Sequence, residues 1–347
     1  MVYRYITRSI EKVVRKAARQ FPAVVLTGPR QAGKTTLLHH LFAKRWRYVS
    51  LEATDVRVAA ERDPRSFLQM HPPPVIFDEI HNAPGLFPYI KELIDEQRDR
   101  SGRYILTGSQ NLLLMERVTE TLAGRAAVLR LLPISRREAD RRPQLALPWE
   151  RGRSLSSGKV LAYGELWRAL VRGWYPELVA NPRLDDGMWH ESFMQTYIER
   201  DVRSLRQVGD LAAFQQFLAA VAARSSQLLN LSDIARDIGI AVNTAKAWLS
   251  VLEASHQVMV VRPYFANVGK RLVKTPKVYF TDAGILSHLV GIESAKHAAS
   301  GPMAGALIET AVLGEIAKVY WHRGKRPRIY FWRTAAGTEV DFVVETE

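Results

Sequence analysis

The sequence contains no cysteine, which excludes disulfides and thiolate-ligated metal centres and makes a reducing cytoplasm the expected location. It has no apolar run approaching the roughly 18 residues that a bilayer span requires, so no membrane partner is expected. The opening stretch MVYRYITRSIEKVVRK lacks an apolar h-region and so does not read as a signal peptide; it reads as a basic amphipathic helix. Acids are in short supply. Against 49 Lys and Arg there are only 35 Asp and Glu, a net charge of +14 and a pI near 10.0. Such a surplus attracts polyanions, nucleic acid foremost. An Arg-rich surface with no nucleic-acid partner is the competing reading.

The remaining composition, 47% hydrophobic and 24% charged over 347 residues, is that of a globular chain long enough for two or three domains. One motif stands out. The apolar run Ala23 to Leu26 suits a buried parallel strand and leads into Gly28-Pro29-Arg30-Gln31-Ala32-Gly33-Lys34-Thr35-Thr36, a full match to G-x-x-x-x-G-K-[ST]. A helical pattern follows through Leu37, Leu38, Leu41 and Phe42. Strand, glycine loop and helix are the order in which a loop can wrap phosphates and offer them helix N–H groups. Residues 28–36 are therefore the expected ATP cradle, with Lys34 on the β- and γ-phosphates and Thr35 on Mg²⁺.

A second apolar run, Pro74 to Phe77, ends in Asp78-Glu79. Asp78 is the expected Mg²⁺ partner, and Glu79 the residue that polarises the attacking water. A third, Arg103 to Leu106, ends in Thr107-Gly108-Ser109-Gln110-Asn111. Ser109 is the favoured γ-phosphate sensor, with Gln110 and Asn111 as rivals; capping the helix expected over 112–122 is the competing role. Arg125, at the end of that helix, is read either as an arginine finger for a neighbouring subunit or as a cation answering the helix dipole.

These stretches, with "LAGRAAVLRLLPIS", "YIERDVRSL", "KTPKVYFTDAGIL" and "WRTAAGTEVDFVVE", resemble one prokaryotic branch of the AAA+ ATPases over nearly the whole chain. The resemblance implies an α/β fold: a P-loop AAA+ parallel sheet with a helical lid, a winged helix-turn-helix, and a C-terminal domain related to restriction endonucleases. The expected divisions are 1–134 for the ATPase domain, 135–224 for connector and lid, 225–290 for the winged helix and 300–347 for an incomplete C-terminal domain.

Within the winged helix, Leu231, Ile234, Ala235 and Ile238 form one apolar stripe capped by Ser232, Gly239 permits the turn, and Val242, Ala245, Leu249 and Leu252 form the second stripe. Asn243, Thr244 and Lys246 would face a duplex, and Lys270, Arg271, Lys274 and Lys277 suit a basic wing. In the C-terminal stretch, Glu309 on a helix and Glu339 and Asp341 on the last strand are candidates for a second metal site. Val340, Phe342 and Val344 would face a core. The lysine of a nuclease site is missing after Asp341, so truncation of the sequence is expected to leave that domain half built.

The function expected from the sequence is an ATPase. Its ligands are ATP, ADP and Mg²⁺, its oligomer forms through Arg125 in trans, and hydrolysis switches a conformation on DNA held mainly by non-specific backbone contact. An ATP-dependent protein-interaction switch and an ATP-gated nuclease are the alternatives.

Overall fold

The computed structural model describes residues 5–108, 111–144, 160–202, 208–265, 275–334 and 336–346. Ser109, Gln110, Lys270, Arg271 and Lys274 lie outside the described residues. The chain divides into two compact units, one of Thr7–Pro133 with Trp321–Lys325, the other of Met1–Ile6, Ile134–Tyr320 and Arg326–Glu347.

The first unit is built on five parallel strands: β1 (Ala23–Thr27), β2 (Arg47–Ser50), β3 (Val75–Asp78), β4 (Tyr104–Gly108) and β5 (Ala126–Arg130), in the order β2-β3-β4-β1-β5. β1, β3 and β4 are buried at every position, as uninterrupted apolar runs require in a sheet covered on both faces. The helix Lys34–Phe42 buries Leu37, Leu38, Leu41 and Phe42, and Leu86–Glu96 buries Leu86, Phe87, Ile90 and Ile94. Both sets follow the helical spacing that puts residues three and four apart on one face. The parallel register sets Ser50 beside Asp78 and Thr27 beside Gly108. The carboxyl ends of β1 to β4 thus open on one edge, where α/β sheets bind ligands.

The second unit has helices Tyr163–Arg172, Pro176–Ala180, Asp186–Thr196, Leu211–Ala223, Leu231–Ile238, Val242–Ala254, Ala283–Leu289 and Ala304–His322. Its sheet has the order β7-β6-β8-β9, from β6 (Val258–Pro263), β7 (Lys277–Phe280), β8 (Ile329–Arg333) and β9 (Glu339–Val344). The apolar core is continuous across the boundaries expected at 224 and 290. One apolar core runs from Trp167 through Phe214, Trp248 and Phe280 to Leu307. β6, expected in the winged helix, pairs with β8 of the C-terminal stretch. The helices and strands of this unit bury one another's apolar faces in that shared core.

Two other details differ from expectation. The helix Leu231–Ile238 is capped by Asn230, whose Oδ1 accepts from Ser232 N and Asp233 N at 3.1 and 3.3 Å, so Ser232 lies inside it. Val340 is exposed, because β9 is an edge strand and the face carrying Val340 has no covering layer among the described residues. Asp282 explains why "FTDAGIL" is a unit. Its Oδ1 caps the helix Ala283–Leu289, and its Oδ2 accepts from Trp174 N at 2.9 Å. At that crossing a Cβ on Gly284 would lie 2.7 Å from the Gly173 backbone.

Candidate functional site

The loop of residues 28–33 leaves the end of β1 and returns into the helix that starts at Lys34. Gly33 caps that helix in the left-handed region at φ 91°, and Gln31 lies there too at φ 60°. Gly28 has φ 149°, and a Cβ added to it would meet the Leu131 carbonyl at 2.0 Å. The first glycine is therefore demanded by the Leu131 carbonyl, packed behind the loop just after β5. Lys34 is buried, its ammonium donating to the Gly28 and Pro29 carbonyls at 2.9 and 3.1 Å. Thr35 is half-buried and Thr36 exposed.

Asp78 ends β3 beneath this loop and is 4% exposed. A buried carboxylate needs hydrogen-bond donors, and three hydroxyls supply them. Thr35 Oγ1 donates to Oδ2 at 2.7 Å, the Tyr48 hydroxyl donates to the same oxygen, and Thr107 Oγ1 donates to Oδ1. Burial, reinforced by the Asp78 charge, pushes the Tyr48 phenol above its ordinary pKa. It stays a donor at neutral pH. Thr107 in turn accepts from the backbone N–H of Glu79 at 3.2 Å. Glu79 itself is in the left-handed region at φ 54°, uncommon for a side chain of its size, with its carboxylate 3.2 Å from His81 Nδ1. Hard oxygens from Thr35 and Asp78, with the Lys34 ammonium inside the loop, are the donor set that Mg·ATP requires.

Three residues of this site were missed at the sequence level. Tyr48 lies on β2 and Thr107 near the end of β4, the two strands that flank β3, and only the sheet brings them to Asp78. Arg8 is 3% exposed. It donates to the Ala32 carbonyl at 2.9 Å and to the Leu132 and Pro133 carbonyls at 2.6 and 3.2 Å. One buried guanidinium thus ties the glycine loop to the chain leaving β5.

Arg125 precedes β5, level with the start of β1, as the Ala23 N–H to Arg125 carbonyl bond of 3.3 Å shows. That is the edge of the sheet opposite the glycine loop. Its guanidinium is bidentate on Asp95, at 2.7 and 2.9 Å, and holds the Asp95 carboxyl below its usual range.

In the second unit, Asn243 and Lys246 are exposed and Thr244 half-exposed on the helix after the Gly239 turn. Lys277 corrects the basic-wing expectation. It is 5% exposed, ion-paired to Glu339, and 3.7 and 3.8 Å from Glu309 and Asp341. The expected second metal site does converge, but on this ammonium, and no group of three or more acids and histidines among the described residues is arranged to hold a metal. A lysine near the carboxylates exists after all, supplied by β7 upstream.

Residues 20–139 match a family described as "AAA domain", residues 163–296 a domain of unknown function (DUF8612), and residues 304–347 another (DUF4143). Uncharacterized proteins of Mycobacterium bovis and Mycobacterium tuberculosis are each 31% identical over 333 residues, covering 96% of this chain and 69% of their own. A Walker-type ATPase of Pyrococcus abyssi shares the fold, with a TM-score of 0.52 at 14% identity over 82% of this chain and 96% of its own. With its glycine loop, parallel sheet and C-terminal DUF4143 domain, the chain belongs to a prokaryotic family of AAA-type P-loop ATPases.

Proposed function

We propose that the chain binds and hydrolyses Mg·ATP at the edge of its parallel sheet, and that hydrolysis switches a second unit which contacts DNA. The observation that carries the first part is the Asp78 carboxylate, buried under the glycine loop and saturated by the hydroxyls of Thr35, Tyr48 and Thr107. Lys34 binds the β- and γ-phosphates, residues 28–36 wrap them, and Thr35 and Asp78 hold the metal. Bound Mg²⁺ neutralises charge on the transferring phosphate. Glu79, fixed by the Thr107 contact and by His81, orients the attacking water. Arg125 lies too far from its own glycine loop to act in cis, so a finger role requires a homo-oligomer in which it leaves Asp95 for a neighbour's nucleotide.

The DNA part rests on the net charge of +14 and on the helix-turn-helix of Leu231–Ile238 and Val242–Ala254, which presents Asn243, Thr244 and Lys246. The antiparallel β6 and β7 that follow give it the outline of a winged helix. Contact is mainly with phosphates, so affinity for random duplex should fall steeply with salt.

Two measurements test the proposal. Titration with ATP and Mg²⁺ should give saturable binding that Lys34→Ala abolishes; equal binding by both proteins overturns the nucleotide part. Duplex affinity that is flat between low and moderate salt, or unchanged in an Asn243→Ala/Lys246→Ala variant, overturns the DNA part.

A further inference from the structure

The helix that begins with Lys34 at the glycine loop spans 9 residues and ends at Phe42, and a rise of ~1.5 Å per residue puts its two ends ~12 Å apart. At the far end lies a concavity of about 730 Å³, lined by Arg15, Arg19, His39, His40, Lys44 and Arg45 over a floor that includes Phe42 and Trp46. No carboxylate among the described residues lines it.

Three features distinguish this hollow from a solvated basic surface. First, its cations converge from separate segments. Arg15 and Arg19 share one face of the helix Glu11–Gln20, at the four-residue spacing that aligns side chains, while Lys44 and Arg45 come from the turn after Phe42. Second, Arg15, Arg19, Lys44 and Arg45 form no ion pair among the described residues. Some exposed arginines elsewhere do have carboxylate partners, as Arg65 with Glu92, Arg117 with Glu120 and Arg236 with Asp233. Third, the floor is aromatic. Phe42 and Trp46 pack at 5.2 Å with their planes tilted by 52°, and the Arg15 guanidinium lies 5.9 Å from the Phe42 ring centroid. The helix C-terminus at this spot would repel an anion, but Arg15 donates to the Leu41 carbonyl at 3.3 Å and offsets it.

Several cations without carboxylate partners around an aromatic floor in which Trp46 is half-buried are complementary to a ligand with repeated negative charge and an unstacked planar ring. Duplex DNA presents phosphates on a convex cylinder and keeps its base faces stacked inside, so it satisfies the cations but not the floor. A single strand satisfies both. The volume lies in the range of ordinary ligand pockets, ~300–1,000 Å³, enough for a short stretch and not for a long groove.

We propose that this hollow is a binding site for single-stranded nucleic acid, with phosphates on Arg15, Arg19, Lys44 and Arg45 and a base against Trp46. The site is separate from both the nucleotide loop and the helix-turn-helix, and it extends the reading of a nucleic-acid partner to the ATPase unit itself.

The test is fluorescence anisotropy with a fluorescein-labelled oligo-dT 12-mer and the full chain, without nucleotide, so the result stands whether or not ATP is hydrolysed. Four phosphate contacts on a single strand predict a log–log salt slope of roughly −3. Arg19→Glu/Arg45→Glu should weaken binding by at least about tenfold and remove about half of that slope. Arg19→Gln/Arg45→Gln should lie between that variant and the wild type, at unchanged melting temperature. Wild-type affinity and slope in the Gln variant overturn the site, whatever the folding of the Glu variant. Two competition arms check the ligand class: unlabelled duplex or sodium tripolyphosphate displacing the 12-mer as well as unlabelled oligo-dT, at equal phosphate, overturns the single-strand assignment.

Discussion

The Tyr48 hydroxyl donates to the same Asp78 oxygen that Thr35 reaches at 2.7 Å. Tyr48 and Thr35 come from different elements, and Tyr48 has no place in the sequence motif. Because its phenol is kept protonated by burial beside Asp78, it is a permanent donor that fixes the carboxylate under the glycine loop. Tyr48→Phe removes a hydrogen bond to a charged group, worth about 1.5 kcal/mol or more. The Mg²⁺ concentration for half-maximal ATPase activity should rise by about tenfold, with little change in metal-free ATP affinity. An unchanged Mg²⁺ titration contradicts this role.

Arg8→Ala should both destabilise the first unit and weaken ATP binding, because it leaves the Ala32, Leu132 and Pro133 carbonyls without the guanidinium they share. A cost of about 3 kcal/mol is expected from several buried acceptors losing a charged donor. Chemical denaturation together with ATP titration checks both effects. Loss of stability with full ATP affinity would show that Arg8 does not position the loop.

At Lys277 the prediction concerns pH. Burial pushes the Glu309 carboxyl above its ordinary value, against the pull of Tyr279 and Lys277. Above the ordinary carboxyl range the unfolded chain has released a proton that the folded chain still holds, so this group's contribution to stability falls as pH rises toward its folded pKa. Lys277→Met removes the ammonium between Glu309, Glu339 and Asp341. It should cost on the order of 2 kcal/mol near neutral pH, less than a fully buried pair because Asp341 is over half exposed. The deficit should shrink as pH is lowered toward about 5. Melting curves for both proteins across that range decide it; parallel curves contradict the account.

Arg125 and Asp95 make a prediction about concentration. If Arg125 serves a neighbour, turnover per chain rises with protein concentration, and Arg125→Ala removes that rise while leaving ATP binding intact. Asp95→Asn frees the guanidinium and should keep the rise. Turnover that is independent of concentration in the wild type contradicts the finger role.

Much of the first unit was legible because its signals are local. A strand, a glycine loop and a helix stand contiguously from Ala23 to Phe42, and Asp78-Glu79 ends an apolar run. Tyr48, Thr107 and Arg8 were not legible, because what places them is parallel register and the packing of residue 8 on residues 32, 132 and 133. Neither leaves a spacing in the sequence. Lys277 shows the limit in reverse. Its run of basic neighbours suggested a solvent-facing wing, whereas the fold sets three distant carboxylates around it. In the second unit, likewise, helices that look self-sufficient by periodicity share one core from Trp167 to Leu307.

The central claim, that this site turns over Mg·ATP, is tested most directly by nucleotide retention in Glu79→Gln. After incubation with radiolabelled ATP and Mg²⁺ and rapid desalting, Glu79→Gln should retain unhydrolysed ATP, the wild type should retain ADP or nothing, and Lys34→Ala should retain neither. Wild-type turnover in Glu79→Gln, or retention of ATP by Lys34→Ala, would contradict it.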